Sequence, residues 1–235
     1  MRPIKPSKPY ICVIDFEANC SGENAKDHEI IEFPALLYDV GYMSCIATFR
    51  QFVRPVKHQS ISPFIQNLCN ITQDDMKTAI PWQECLNRFE AWCEANDVTS
   101  ETTTIVTCGD WDLKTMLPKQ LALTRTRLSV RLQKLFDSWT NIKLTYKHAL
   151  KNNKMIGMDQ MLKELQLKLI GTHHCGIDDC YNIAQIAREL VRKENDISVP
   201  NNLRREPYHF GGSQHFYRKG NEILPNKKYK VVFMH

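Results

Sequence analysis

Tyr10-Ile11-Cys12-Val13-Ile14-Asp15-Phe16-Glu17 is a nearly unbroken apolar run that ends in two carboxylates two residues apart. Such a run reads as a central strand covered on both faces. Strand side chains alternate, so Asp15 and Glu17 share a face with Ile11 and Val13. Two carboxylates ending a buried run are costly unless something neutralises them. A hard divalent cation such as Mg²⁺ or Mn²⁺ does so, because it prefers carboxylate and water oxygens. Alone, an Asp-x-Glu is a weak signal, since such tripeptides abound on solvated strand ends.

Working outward, residues 30–40 and 44–53 read as two further strands, antiparallel across Gly41. Residues 81–96 form the clearest helix: Trp82, Cys85, Leu86, Phe89, Trp92 and Cys93 recur at helical spacing, behind a tolerated first-turn Pro81. Residues 104–107 read as a short buried strand running into Gly109-Asp110 and a helix start. A fifth strand is expected at 140–144, with helices at 146–151, 158–165 and 177–194. Three strands in series followed by alternating helices and strands predict an α/β domain with a mixed five-stranded sheet flanked by helices.

Two more acidic elements follow the strands. In Cys108-Gly109-Asp110-Trp111-Asp112-Leu113, Asp110 suits the N-cap of the next helix, while Asp112 in its first turn can point over the sheet edge. In His174-Cys175-Gly176-Ile177-Asp178-Asp179, helical periodicity separates the two aspartates. Asp178 shares a stripe with Asn182, Gln185, Glu189 and Arg192, read as solvated. Asp179 falls with Ile183, Ile186 and Leu190 on the core side, where a carboxylate needs a partner. His174, five residues earlier in the loop, suits the deprotonation of a water near neutral pH. Four carboxylates and a histidine in this order suit two-metal-ion hydrolysis of a phosphodiester.

Composition sets the setting. The chain has 235 residues with 43% hydrophobic and 24% charged, ordinary for a globular domain. It is long enough to bury a core without disulfides or structural metal. No stretch approaches the roughly 18 apolar residues of a membrane span. The basic, proline-rich start lacks a secretory apolar region, so an intracellular protein, cytoplasmic or nuclear, is expected. Nine cysteines, none in a Cys-x-x-Cys pair, read as reduced thiols. The closest cluster, His173, His174, Cys175 and Cys180, lacks the matching ligand pair of a zinc site.

These residues resemble a known family, the DEDDh exonucleases of the ribonuclease-H-like fold. Val13-Ile14-Asp15-Phe16-Glu17-Ala18, His28-Glu29-Ile30-Ile31-Glu32-Phe33-Pro34, Gly109-Asp110-Trp111-Asp112 and His174-Cys175-Gly176-Ile177-Asp178-Asp179 look like its enhancer-of-RNAi / histone-mRNA 3′ exonuclease subfamily. The similarity runs over residues 10–194. It implies a 3′-to-5′ exonuclease acting on single-stranded or overhanging RNA, or DNA, and releasing nucleoside 5′-monophosphates with two Mg²⁺ ions, for which Mn²⁺ substitutes. Carried over by position, Asp15, Glu17, Asp112 and Asp179 hold the metals, and His174 is the general base, with Glu17 also counted as catalytic. The family order favours Asp112 over Asp110. Ala18, with Phe16 and Trp111, is expected at the substrate. The position before the catalytic histidine is often proline in relatives and is His173 here. With nine residues ahead of the first strand, no separate nucleic-acid-binding domain is expected. The alternative reading is a nucleic-acid-binding adaptor that keeps the fold with weak catalysis.

The charge excess lies at one end. From residue 200 onward there are seven basic residues (Arg204, Arg205, Arg218, Lys219, Lys227, Lys228, Lys230) against Glu206 and Glu222. With 31 Lys+Arg and 26 Asp+Glu overall, the rest is neutral at 24 of each. Tyr208, Phe210, Phe216, Tyr217, Tyr229 and Phe233 interleave, a pattern suited to single-stranded nucleic acid or to a protein partner. The same stretch also reads as a hairpin of 214–218 with 222–224 that docks on the body. The expected organisation is a short segment 1–9, an exonuclease domain 10–195 and a basic, aromatic extension 196–235.

Overall fold

The computed structural model describes residues 6–22, 26–151, 154–193 and 195–204, and the backbone of 216–219 and 222–225. In chain order the strands are β1 (Tyr10–Ile14), β2 (Glu17–Asn19), β3 (Glu29–Asp39), β4 (Ser44–Phe52), β5 (Thr103–Thr107), β6 (Ser138–Asn141) and β7 (Asn202–Leu203). The helices are α1 (Pro63–Cys69), α2 (Trp82–Ala95), α3 (Leu117–Thr124), α4 (Val130–Phe136), α5 (Ile142–Ala149), α6 (Met158–Glu164) and α7 (Gly176–Arg192). One mixed sheet has the order β2-β3-β1-β5-β6-β7, with β4 also pairing β3. It holds the five expected strands plus two short ones, β2 and β7.

The central position of β1 follows from its sequence. It runs antiparallel to β3 and parallel to β5, so both of its edges are paired. Its alternate side chains feed two different apolar clusters. Cys12 and Ile14 join Trp82, Phe89, Leu132 and Phe136 under α2, α3 and α4. Ile11 and Val13 join Tyr146, Met161, Ile183 and Leu190 under α5, α6 and α7. β3 has ten buried residues in a row, as a strand covered on both faces requires.

Several expectations need correction. The fifth strand ends at Asn141, whose side chain accepts from the Lys143 N–H at 3.0 Å and turns the chain into α5, so residues 142–144 are helical. Asp110 makes no capping bond. Its Oδ1 instead accepts from Trp139 Nε1 at 3.1 Å, from Asn141 Nδ2 at 2.9 Å and from Asn202 Nδ2, tying β6 and β7 to the end of β5. A π-helical turn, Trp111–Met116, precedes α3. Asn182 is fully buried rather than solvated. It brackets the 168–172 loop, accepting from Ile170 N and donating to Ile170 O.

Before β7, Ser198 O accepts from Thr104 Oγ1, and Asp196 accepts from Ser7 N and Oγ. Further on, β8 (Phe216–Lys219) pairs antiparallel with β9 (Glu222–Pro225), the hairpin that the sequence predicts. Its docking, and the basic residues at 205, 227, 228 and 230, lie outside the described residues.

Phe89 is fully buried among Phe33, Phe49, Trp92 and Phe136, with ring centroids 4.5–5.8 Å away. Phe89→Ala should therefore cost about 3–5 kcal/mol of stability, the usual loss for a buried aromatic. A urea titration followed by far-UV circular dichroism measures it, and a change under 1 kcal/mol would show that this cluster is not the centre of the core.

Candidate active site

The carboxylates meet at the carboxyl end of β1. Asp15 follows its last residue, Glu17 begins β2, and Asp179 lies in the first turn of α7. One carboxylate oxygen from each lies within 4.8 Å of the others. Asp112, in the π-helical turn, adjoins the group: its Oδ1 accepts from the Phe16 N–H at 2.8 Å, and its charge acts on Asp15. Glu17, Asp112 and Asp179 are all under one-tenth exposed.

Burial raises every acid in the group. Burial first, then repulsion from Asp112, Glu17 and Asp179, holds the Asp15 carboxyl well above the carboxylate range, against the pull of Lys143. Glu17 is raised by burial, opposed by a hydrogen bond from the Cys69 thiol and reinforced by Glu32. Burial lifts Asp112 to about 6 against its bond from Phe16, and Asp179 to about 6 against its bond from His174. Among the described residues Asp179 Oδ1 is buried with no hydrogen-bond partner, while its Oδ2 accepts from the His174 N–H at 2.9 Å. Buried oxygens that repel one another, one of them orphaned, fit a divalent cation as the missing partner.

His174 stands at the mouth of this group. Its backbone is left-handed, with φ 68°, a conformation costing a non-glycine residue about 1–2 kcal/mol and held here by Asp179. Burial and the neighbouring His173 lower the pKa of its imidazole.

A cleft of about 380 Å³ opens beside the acids. Asp15, Phe16, Glu17 and Ala18 form one wall, and Phe64, Ile65, Leu68 and Cys69 of α1 another. His28, Trp111 and His174 line the rest. The structure thus brings together Asp15, Glu17, Asp112, Asp179, His174, Ala18 and Trp111. The Phe16 ring turns into the core, 4.8 Å from Phe33, and leaves its backbone to the site. Asp110 and Asp178 stand apart as loop and strand tethers; Asp178 Oδ2 accepts from Thr172 N.

The α1 wall and Lys143 were missed by sequence reasoning. A signal for α1 existed: Ser62-Pro63 is a helix start, and Phe64, Ile65, Leu68 and Cys69 recur at helical spacing. Nothing local marks Lys143, which acts through the fold.

The chain is also similar to known proteins. The Exonuclease (RNase_T) family profile matches residues 12–187. The chain is 37% identical to mouse ERI1 exoribonuclease 3 over 81% of its own length and 56% of that protein. It is 34% identical to human 3'-5' exoribonuclease 1 over 81% of itself and 54% of that protein. It therefore spans about half the length of the curated relatives it matches. Among solved structures, the nuclease domain of 3'hExo, a DEDDh family member bound to rAMP, superposes with a TM-score of 0.76 at 31% identity. That match covers 84% of this chain and 98% of that one.

The raised acids make stability depend on pH and on metal. Asp112 and Asp179, raised from 3.8 to about 6, hold more protons folded than unfolded between those values. In chelator, stability should therefore fall as pH rises from about 4 to 6, and Asp15 and Glu17, raised as well, extend the fall beyond that window. Added Mg²⁺ or Mn²⁺ should raise the melting temperature more at pH 7.5 than at pH 5, because it replaces the lost protons. Equal metal-induced shifts at both pH values, by differential scanning fluorimetry, would contradict the cation-site reading.

Proposed function

Because the chain belongs to the exonuclease family, and within it to the DEDDh group, we propose that it is a 3′-to-5′ exonuclease. It would remove nucleoside 5′-monophosphates from single-stranded or overhanging 3′ ends of RNA, and of DNA if the cleft accepts it. The observation that carries this reading is the gathering of Asp15, Glu17 and Asp179 within 4.8 Å beside a cleft with His174 at its mouth.

In this reading Asp15, Glu17, Asp112 and Asp179 hold two Mg²⁺ ions, with Mn²⁺ able to substitute. When bound, such a pair neutralises charge on the attacking and leaving oxygens of an in-line displacement. His174 is the base: its lowered pKa leaves a neutral imidazole at physiological pH, ready to take a proton from the attacking water. The water oxygen joins phosphorus, the P–O3′ bond breaks, and the leaving 3′-oxygen takes its proton from solvent. Asp179 holds the His174 backbone through the 2.9 Å bond and so positions the base relative to the acids. Trp111, 41% exposed, faces the partly exposed Phe64 and Leu68 across the cleft as surfaces for the terminal base. The Ala18 backbone suits close approach of that nucleotide. Nine unpaired cysteines support an intracellular setting.

The test is a time course on matched 5′-labelled RNA and DNA with Mg²⁺, with Mn²⁺ and with chelator. Wild type should give a ladder shortening from the 3′ end, ranking the two substrates, and His174→Ala and Asp15→Asn should lose several orders of magnitude in kcat. Wild-type turnover by Asp15→Asn would end this reading. Intact substrate under every condition, with binding retained, would favour the adaptor.

We propose further that the basic extension continues the substrate path. Asn201 and Asn202 bond to Asn141 and Asp110, and Arg204 donates to Leu113 O, so the cut belongs after residue 204. Removing residues 205–235 should weaken RNA affinity and flatten its salt dependence, since fewer phosphates are neutralised. An unchanged slope in a filter-binding salt series would assign the extension to a protein partner or to stability.

A further inference from the structure

His173 has no role in the reading above, yet its ring is held as a metal-binding imidazole is held. Its Nδ1 lies 3.0 Å from Asp159 Oδ2 of α6, so the N–H on that nitrogen donates to the carboxylate. This fixes the tautomer and leaves the Nε2 lone pair free. Nε2 faces Asp179 Oδ2 at 4.0 Å, too far for a hydrogen bond. The ring stacks on His174 with centroids 3.9 Å apart and planes 17° from parallel. One ligand atom from each of His173, His174 and Asp179 falls within 4.8 Å of the others. A histidine whose second nitrogen is anchored by a carboxylate is the usual arrangement behind a metal ligand.

The donor set selects the metal. Two imidazoles, one carboxylate and an open position are what Zn²⁺ takes, whereas Mg²⁺ prefers oxygen alone. Zinc bonds of about 2.0–2.2 Å place tetrahedral ligand atoms roughly 3.3 Å apart. To take zinc the two imidazoles must unstack so that both lone pairs converge on the ion; the one-third-exposed His173 side chain has room to turn, and the exposed Asp159 carboxylate can follow its Nδ1. Cys180 does not contribute: it is fully buried in the core with its Sγ toward Pro34 O.

We propose that His173, His174 and Asp179 form a Zn²⁺ site at the mouth of the cleft, with Asp159 orienting His173. Zinc bound there engages Asp179 and His174 together, so its occupancy opposes hydrolysis. That consequence rests on the proposed function; the binding itself does not.

The test uses the full chain, stripped of metal and titrated with ZnCl₂ in saturating Mg²⁺ by calorimetry, with Co²⁺ as a spectroscopic probe. Wild type should take one equivalent that is lost in His173→Ala and weakened about 10–100-fold in Asp159→Asn. Its Co²⁺ form should show tetrahedral visible bands without a thiolate charge-transfer band. A cooperative melting transition in each variant checks that it folds. Unchanged zinc stoichiometry and affinity in His173→Ala, a thiolate band, or no zinc uptake by wild type would each overturn the site. If wild type ignores Mg²⁺ and degrades nothing but still takes a His173-dependent zinc, the exonuclease reading fails and the zinc site stands.

Discussion

The first turn of α7 rests so closely on the end of β1 that only glycine fits at position 176. A Cβ there would lie 2.9 Å from the Asp15 carbonyl oxygen and from Pro34 Cγ, and 3.1 Å from Glu17 Cγ. Real Cβ atoms do not approach backbone oxygen that closely. This contact carries Asp179, one turn further along, to within reach of Asp15 and Glu17. It also aims the positive end of a 17-residue helix at the group, which offsets part of its negative charge. Without the close approach the three acids would stand at separate element ends, each able to find water.

Bringing them together works against stability, and the rest of the fold opposes that cost. The two apolar clusters on either face of the sheet share β1 and β3, so the strand that ends in Asp15 is fixed from both sides. Lys143, at the start of α5, contributes one positive charge near Asp15 and Asp112. The Phe16 N–H ties Asp112 to the same backbone. None of these contacts satisfies Asp179 Oδ1, and the site keeps a net attraction for a cation.

The cleft wall depends on a different set of buried polar groups. Glu29, fully buried, accepts from the N–H groups of Val56, Lys57 and His58 at 2.6–3.1 Å. Asn19 donates to His58 O and Ser60 O and accepts from Ser62 N. Together they hold the irregular segment 56–62, and Ser62 then caps α1 by accepting from Ile65 N. The wall of Phe64, Ile65, Leu68 and Cys69 is thereby positioned by residues of β2 and β3, next to the acids it faces.

Sequence by itself determined the local identities: β1 by its apolar run, α2 and α7 by 3.6-residue periodicity, and the inward aim of Asp179 by its place among Ile183, Ile186 and Leu190. It also marked Asp112 as a candidate, because short-range patterning is written in adjacent residues. What it misjudged were polar residues with two competing uses. Asp110 reads as a cap and instead ties two strands; Asn182 reads as solvated and instead pins a loop; Asn141 stops a strand that its neighbours would extend. Asn141 bonds its near neighbour Lys143, whereas the first two choices are made by partners 12 and 92 residues away, Ile170 for Asn182 and Asn202 for Asp110. The same holds for Lys143 beside Asp15, for the α1 wall, and for Asp159 behind His173. Backbone propensity is local, but the pairing of buried polar groups is decided only when the core brings distant segments together.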